Sequence, residues 1–348
     1  MALCECCLSL IQIFFDDIYM TRIILKSDII SSRVFLKKNK YIIIGEVRVL
    51  ANVTLTIEDG TTILLVNGPM RSSFIFDTGS ILEAKHVYFR ACDSKYNIVK
   101  HANNGGLWFL GSSSNAEKDL ITVKYSINPS SFTATRIFTA YLGRCDPKGG
   151  DSPTTDDIDA ISVLGVGSNE WNISSVVSYY SGDDGFDVEN SAITLKYLRV
   201  IEPKEDGLNI TSSRLNILNS LEIDMGKSSV KDRDIFDLEP DEGQAYVRLE
   251  QGCDVNISGI FGDELKLVSS DLPQPDGDKY YTFKGKSENG QTYVYSQKVC
   301  KETKSTEKNT NYKFEEILDD ISEVPIVRDY LPTIKNIVQH VEILKNII

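Results

Sequence analysis

Six consecutive residues, Gly182-Asp183-Asp184-Gly185-Phe186-Asp187, put three carboxylates within five positions. Carboxylates that close repel one another unless a cation, a shared proton or water relieves the repulsion. Clustered Asp oxygens suit calcium, which takes about six to eight oxygen ligands. They also suit glycoside hydrolysis, which uses a pair of carboxyl groups and is inverting when they stand far enough apart for a water. The phrase has partners along the chain: Asp156-Asp157-Ile158-Asp159-Ala160-Ile161, Glu205-Asp206-Gly207-Leu208-Asn209-Ile210 and Arg233-Asp234-Ile235-Phe236-Asp237-Leu238. Their second residues, Asp157, Asp184, Asp206 and Asp234, are 27, 22 and 28 residues apart. Repeats of that length predict a solenoid with one coil per repeat. Parallel stacking would bring copies of each position to roughly 4.8 Å from one another and line the Asp side chains up as a column. Asp-Gly is also an ordinary corner solution, with Gly taking positive φ and Asp bonding nearby backbone. Asp206 and Asp234 fit that architectural role, whereas three carboxylates in five residues at Asp183, Asp184 and Asp187 exceed what a turn needs.

The elements that must carry this column read as short strands. Tyr41 to Ile44 is followed by Gly45, and Val47, Val49, Val53, Leu55 and Ile57 alternate with other residues. Glu58-Asp59-Gly60 makes a turn, and Thr62 to Val66 runs into Asn67-Gly68. Period-two apolar runs bounded by Asp-Gly and Asn-Gly are strand signals. From about residue 33 no helical pattern interrupts them before about residue 310, which argues against a βαβ fold. Residues 1–32 read as an N-terminal cap, a short helix and a first strand. Residues 33–263 read as a parallel β-helix, and 112–155 within it as loops leaving the coils. Residues 264–300 read as a small β segment, with a hairpin joining Tyr280–Phe283 to Gln291–Ser296. Residues 301–348 read as a polar linker and a helical tail. The tail's apolar face, Ile334, Ile337, Val338, Val341, Ile343 and Leu344, suits a cap or a homo-oligomer contact.

Composition narrows the partners. Lys and Arg number 37 against 50 Asp and Glu, a formal net charge of -13, so the basic footprint that nucleic acid requires is missing. An anionic glycan would need bridging cations. No stretch reaches the length of a membrane span. The start of the chain lacks the positive region, long apolar core and cleavage site of a secretory signal. The expectation is therefore a cytoplasmic protein or one exported by another route. The seven Cys are odd in number and widely spaced after Cys7, unlike a disulfide framework. Histidine is limited to His86, His101 and His340, outside the repeats, which disfavours a Ser-His-Asp triad or a His-rich metal site there. Four Asn-x-Ser/Thr phrases, at Asn52, Asn172, Asn209 and Asn256, fit the glycosylation sequon but also the ordinary occupancy of coil positions. Trp171, Tyr179 and Tyr180 suit either a sugar-stacking platform or stacking between coils.

Two resemblances sharpen these expectations. Asn52-Val53-Thr54-Leu55-Thr56-Ile57-Glu58-Asp59-Gly60-Thr61-Thr62-Ile63 resembles the early coils of pectate-lyase-like proteins. The fold this implies is all-β: a single-stranded right-handed parallel β-helix, with a helical N-terminal cap and a C-terminal helical tail around it. Gly182 to Asp187 resembles the signature of polysaccharide lyase family 9. That likeness implies a calcium site formed by Asp159, Asp183, Asp184 and Asp187. It implies β-elimination on a uronate-containing polysaccharide or oligosaccharide, with a Lys base about two coils on. Lys227 and Lys231 are candidates and Lys204 is nearer. Asp184 would then be both ligand and catalytic residue. The phrase departs from the family after Asp187, where Val188-Glu189 stands in place of Leu-Trp. The chain also resembles polygalacturonases at Thr154-Thr155-Asp156 and Asp183-Asp184, although Glu205-Asp206-Gly207 lacks their His and Lys231-Asp232-Arg233 does not match their basic phrase. A non-catalytic β-helix, an adhesin or scaffold, is the reading from a third class.

Overall fold

Alternating apolar residues bury one face of a strand each, and in a computed structural model of the protein the predicted runs are strands Asn39–Ile43, Glu46–Val49, Thr54–Ile57 and Thr61–Val66. The structure describes residues 21–112, 128–144, 157–227, 233–239, 245–249, 253–261, 279–287 and 292–299. All of them belong to one compact unit, Met1–Lys304. The expected N-terminal helix, the loop segments 113–127 and 145–156, Lys231 and the helical tail lie outside the described residues. Among the described residues there is no helix, and none long and apolar enough to cross a membrane.

The strands form two sheets. A seven-stranded sheet runs through Glu46–Val49, Ser73–Phe76, Leu107–Leu110, Ile161–Leu164, Phe186–Glu189, Leu208–Thr211 and Phe236–Glu239. A sixteen-stranded sheet carries the longer strands, among them His86–Cys92, Ser131–Ala140, Trp171–Tyr179, Ala192–Ile201 and Arg214–Asp224. The chain alternates between the two, and successive visits pair in parallel. One long strand spans two shorter ones: Ser131–Ala140 pairs at its start with Ile81–Ala84 and at its end with His86–Cys92. All-β structure in long parallel sheets is compatible with a parallel β-helix. The hairpin read from the sequence joins Lys279–Ser287 to Thr292–Val299 in antiparallel register.

The core lies between the sheets. From the seven-stranded sheet, Val47, Val49, Phe74, Phe76, Leu107, Phe109, Ile161, Val163, Phe186, Val188, Leu208 and Ile210 alternate inward and are buried in one cluster. Register stacks like on like. Phe76 pairs with Phe109, and their rings are parallel at 5.1 Å. Trp171 meets Phe109 edge-on at 5.4 Å and is 6% exposed, while Tyr179 is 1% exposed. Both are packing residues and offer no platform to a sugar. Tyr180 stacks on Tyr141 of the preceding coil at 4.9 Å.

Corners are set by backbone sign and by missing side chains. Tyr141, Tyr180 and Glu202 follow paired strand ends and share φ of 59°, 52° and 49°. Gly165, Asn190 and Ser212 do the same at the other edge, at 61°, 46° and 50°. Left-handed backbone at non-glycine residues costs on the order of 1 kcal/mol each and persists because the stacked neighbours dictate it. Gly185 and Gly207 were expected to supply positive φ, but neither is among the positive-φ glycines. They are glycine because the next coil passes too close. A Cβ on Gly185 would lie 2.2 Å from Val200 Cγ1 and 2.7 Å from the Gly207 carbonyl oxygen.

Gly185→Ala should therefore push two coils apart. The expected loss is about 1–3 kcal/mol, the range for overpacking a tight interior, read as a lower urea midpoint. An unchanged midpoint would show that the corner relaxes without cost.

Candidate metal centre

The acidic phrases occupy the corners where a long strand ends and the next short-sheet strand begins: Tyr179 to Phe186, Ile201 to Leu208 and Asp224 to Phe236. Strand register fixes which carboxylates stack. Ser162 pairs with Asp187, Phe186 with Leu208, and Leu208 with Phe236. Counting back from those pairs aligns Asp159, Asp184, Asp206 and Asp234, so the steps are 25, 22 and 28 residues. The spacing argument chose Asp157 as the first member, and the register moves the column to Asp159. A phrase with Asp at 156, 157 and 159 gives three choices, and only strand pairing selects among them. One position earlier in each coil, the same register aligns Ile158, Asp183, Glu205 and Arg233.

Much of the column is held by hydrogen bonds between coils. Asp184 Oδ1 accepts the Asp206 N–H at 2.9 Å, and Asp206 Oδ1 accepts the Asp234 N–H at 2.5 Å. The Gly185 and Gly207 amides donate to the carbonyls of Asp206 and Asp234, both at 2.9 Å. Asp side chains do bond backbone here, as turn chemistry suggests, but the backbone belongs to the next coil and not to their own turn. Asp159 Oδ2 accepts the Ser162 hydroxyl at 2.9 Å.

Three carboxylates converge. Ligand oxygens of Asp159, Asp183 and Asp184 all lie within 4.8 Å of one another, and each residue is 6% exposed. Asp183 Oδ1 is buried and accepts no hydrogen bond. The Asp183 carbonyl is by contrast engaged: it accepts Ser181 Oγ at 2.8 Å and the Lys204 N–H at 3.1 Å. Burial, then the charges of Asp184 and Asp159, push the Asp183 carboxyl well above the usual carboxylate range. Burial, then Asp206 and Asp159, do the same to Asp184, and burial raises Asp206. A buried cluster of like charges with oxygen donors alone fits a hard cation such as Ca2+.

Asp187 is not in this group. It is 1% exposed and lies in the strand row of Ser162 and Asn209. Lys227 is exposed, and its charge acts on Glu202. Lys204 is half-buried and joins the corner through its main-chain bond to Asp183. Lys231 and the Thr154-Thr155-Asp156 phrase lie outside the described residues. Arg233 is fully buried and donates to the carbonyls of Pro203 at 3.0 Å, Glu205 at 3.2 Å and Met225. The sequence reading gave no role to Ser162 or Arg233. A serine three residues after an Asp and an arginine in an acidic phrase are weak signals, and their contacts exist only once coils stack.

Comparison with protein-family models, with curated proteins and with solved structures finds no match to this chain.

Hydrogen bond and charge at Asp184 can be separated. Asp184→Asn keeps an Oδ1 acceptor for Asp206 and removes the charge, whereas Asp184→Ala leaves a buried N–H unpaired at about 1–3 kcal/mol. A carboxyl whose folded pKa is raised holds its proton more tightly in the folded state. Its contribution to stability is fully present below the unfolded value near about 3.9 and is lost as pH rises through the raised one. In chelator, the wild type should therefore lose stability relative to Asp184→Asn from about pH 4 upward. Urea midpoints that run parallel from pH 4 to 8 would contradict the buried, charge-repelled carboxyl.

Proposed function

We propose that the chain is a right-handed parallel β-helix that binds Ca2+ at Asp159, Asp183 and Asp184 and acts on a uronate-containing glycan. The observation that carries this reading is the convergence of three buried carboxylates within 4.8 Å, one of them with an unpartnered oxygen. With a net charge of -13, direct binding of an anionic glycan is disfavoured, so this reading requires the cation as a bridge. Bound at this corner, Ca2+ would neutralise the substrate carboxylate and acidify the C5 proton for β-elimination. The chain's own part is to hold the three oxygens fixed, through the Ser162 bond to Asp159 and the Asp184 bond to Asp206. A Lys would take the proton, with Lys204, Lys227 and Lys231 the candidates.

A second reading is favoured by a specific observation. The bonds from Asp184 to Asp206 and from Asp206 to Asp234 run from coil to coil and brace the stack. In that reading the column is architectural and the protein is a non-catalytic scaffold.

Calcium titration by calorimetry on the wild type and on Asp183→Asn comes first. The expected result is stoichiometric binding that the variant loses. Polygalacturonate should then yield unsaturated product, read by its absorbance, in calcium and not in chelator. New reducing ends that survive chelator would point to a hydrolase of the polygalacturonase type. Calcium binding without any cleavage product would leave the scaffold.

A further inference from the structure

Charge is unevenly distributed along this acidic chain. Residues 21–40 hold Arg22, Lys26, Arg33, Lys37, Lys38 and Lys40 against a single acid, Asp28. The first five of these cations are exposed, and among the described residues none of the five is in an ion pair. Asp28 is engaged by the next coil, since its Oδ1 accepts the Arg48 N–H at 3.1 Å. Lys37 lies across the Gly60 turn, where a Cβ would come 2.9 Å from its Nζ.

These residues lie on the first described coil and just after it. Thr21–Leu25 pairs with Asn39–Ile43, Ile29 bridges to Val49, and Arg33–Phe35 pairs with Thr54–Ile57. Neither strand pairs with a second described strand. Leu25, Ile29 and Phe35 pack into the core. Their neighbours Ile24, Ile30 and Val34 are left 43%, 73% and 52% exposed, three of the six large apolar side chains exposed among the described residues. Because the three stand on successive stretches of one coil, the surface they share is the rim at that end of the stack. Exposed Lys and Arg attract a polyanion. Aliphatic side chains interleaved with them favour a bilayer, whose anionic headgroups meet the cations and whose acyl boundary takes Ile and Val. Bases and sugars are met by exposed aromatic faces. Phe35, the one ring of residues 21–35, is 1% exposed and stacked on Tyr41 at 3.8 Å.

We infer that this rim is a docking surface for an anionic lipid bilayer, met end-on by the first coil. Arg22, Lys26, Arg33 and Lys38 lie against the headgroups, and Ile24, Ile30 and Val34 reach the acyl boundary. The net charge of -13 does not oppose this, because charges farther than about 8 Å are largely screened at physiological ionic strength. The surface is independent of the acidic corner and of any cation bound there.

Flotation of the full chain with vesicles tests it, in chelator so that no cation bridges the acidic corner to lipid. The probes are phosphatidylcholine vesicles and the same vesicles with about a third phosphatidylserine. The wild type should float with the mixed vesicles only, and less as salt rises. Lys26→Glu/Lys38→Glu should lower the partition by at least about tenfold, and Ile30→Ser by at least about threefold. Lys95→Glu/Lys196→Glu, at exposed lysines on other coils, makes the same change in net charge and should float as the wild type does. Flotation with neither vesicle, or with both alike, would overturn the inference. So would equal loss in the two lysine pairs, or undiminished flotation of Ile30→Ser. Retention on immobilised polygalacturonate without flotation would overturn it in favour of a glycan surface. Self-association lost in Lys26→Glu/Lys38→Glu, again without flotation, would overturn it in favour of a second copy of the chain.

Discussion

Parallel stacking at a spacing of roughly 4.8 Å governs this molecule, because it places every residue beside its equivalents one coil away. Apolar equivalents gain from that. Phe76 over Phe109, and the inward row from Val47 to Ile210, make a continuous core from short strands that bury too little alone. Backbone conformation propagates in the same way: Tyr141, Tyr180 and Glu202 share a left-handed φ that none of them would choose in isolation.

Carboxylates are the opposite case. Asp159, Asp184, Asp206 and Asp234 stack by the same register that stacks Phe, and their repulsion must be relieved. Part of the relief is chemical. Asp184 and Asp206 each accept an amide from the next coil, so repulsion is traded against satisfied backbone donors. Burial also pushes the Asp183, Asp184 and Asp206 carboxyls well above the usual carboxylate range. At Asp183 one side-chain oxygen, Oδ1, is buried with no hydrogen-bond donor.

Several features were legible in the residues themselves. Alternation from Tyr41 to Val66 fixed strands because a period of two buries one face. The recurring acidic phrase fixed a coil length because corners must repeat where coils repeat. The hairpin was readable from two β-rich runs across Glu288-Asn289-Gly290. Gly185 and Gly207 were recognisable as required, although the reason differs: the neighbouring coil leaves no room for a Cβ.

What the residues could not decide is which carboxylate faces which. Asp157 and Asp159 are equally good copies of the motif in one dimension, and strand pairing alone puts Asp159 over Asp184. The same holds for Asp187, which the phrase groups with Asp183 and Asp184 but which strand alternation carries into the row of Ser162 and Asn209. Glu205 and Arg233 acquire their contacts only through stacking, since the Asp183 and Glu205 carbonyls to which they donate lie 22 and 28 residues away along the chain. Sequence determined the kind of chain and where its acids recur, because periodicity is local. Tertiary structure decided the composition of the site, because contacts between coils are set by register, and register is a property of the whole stack.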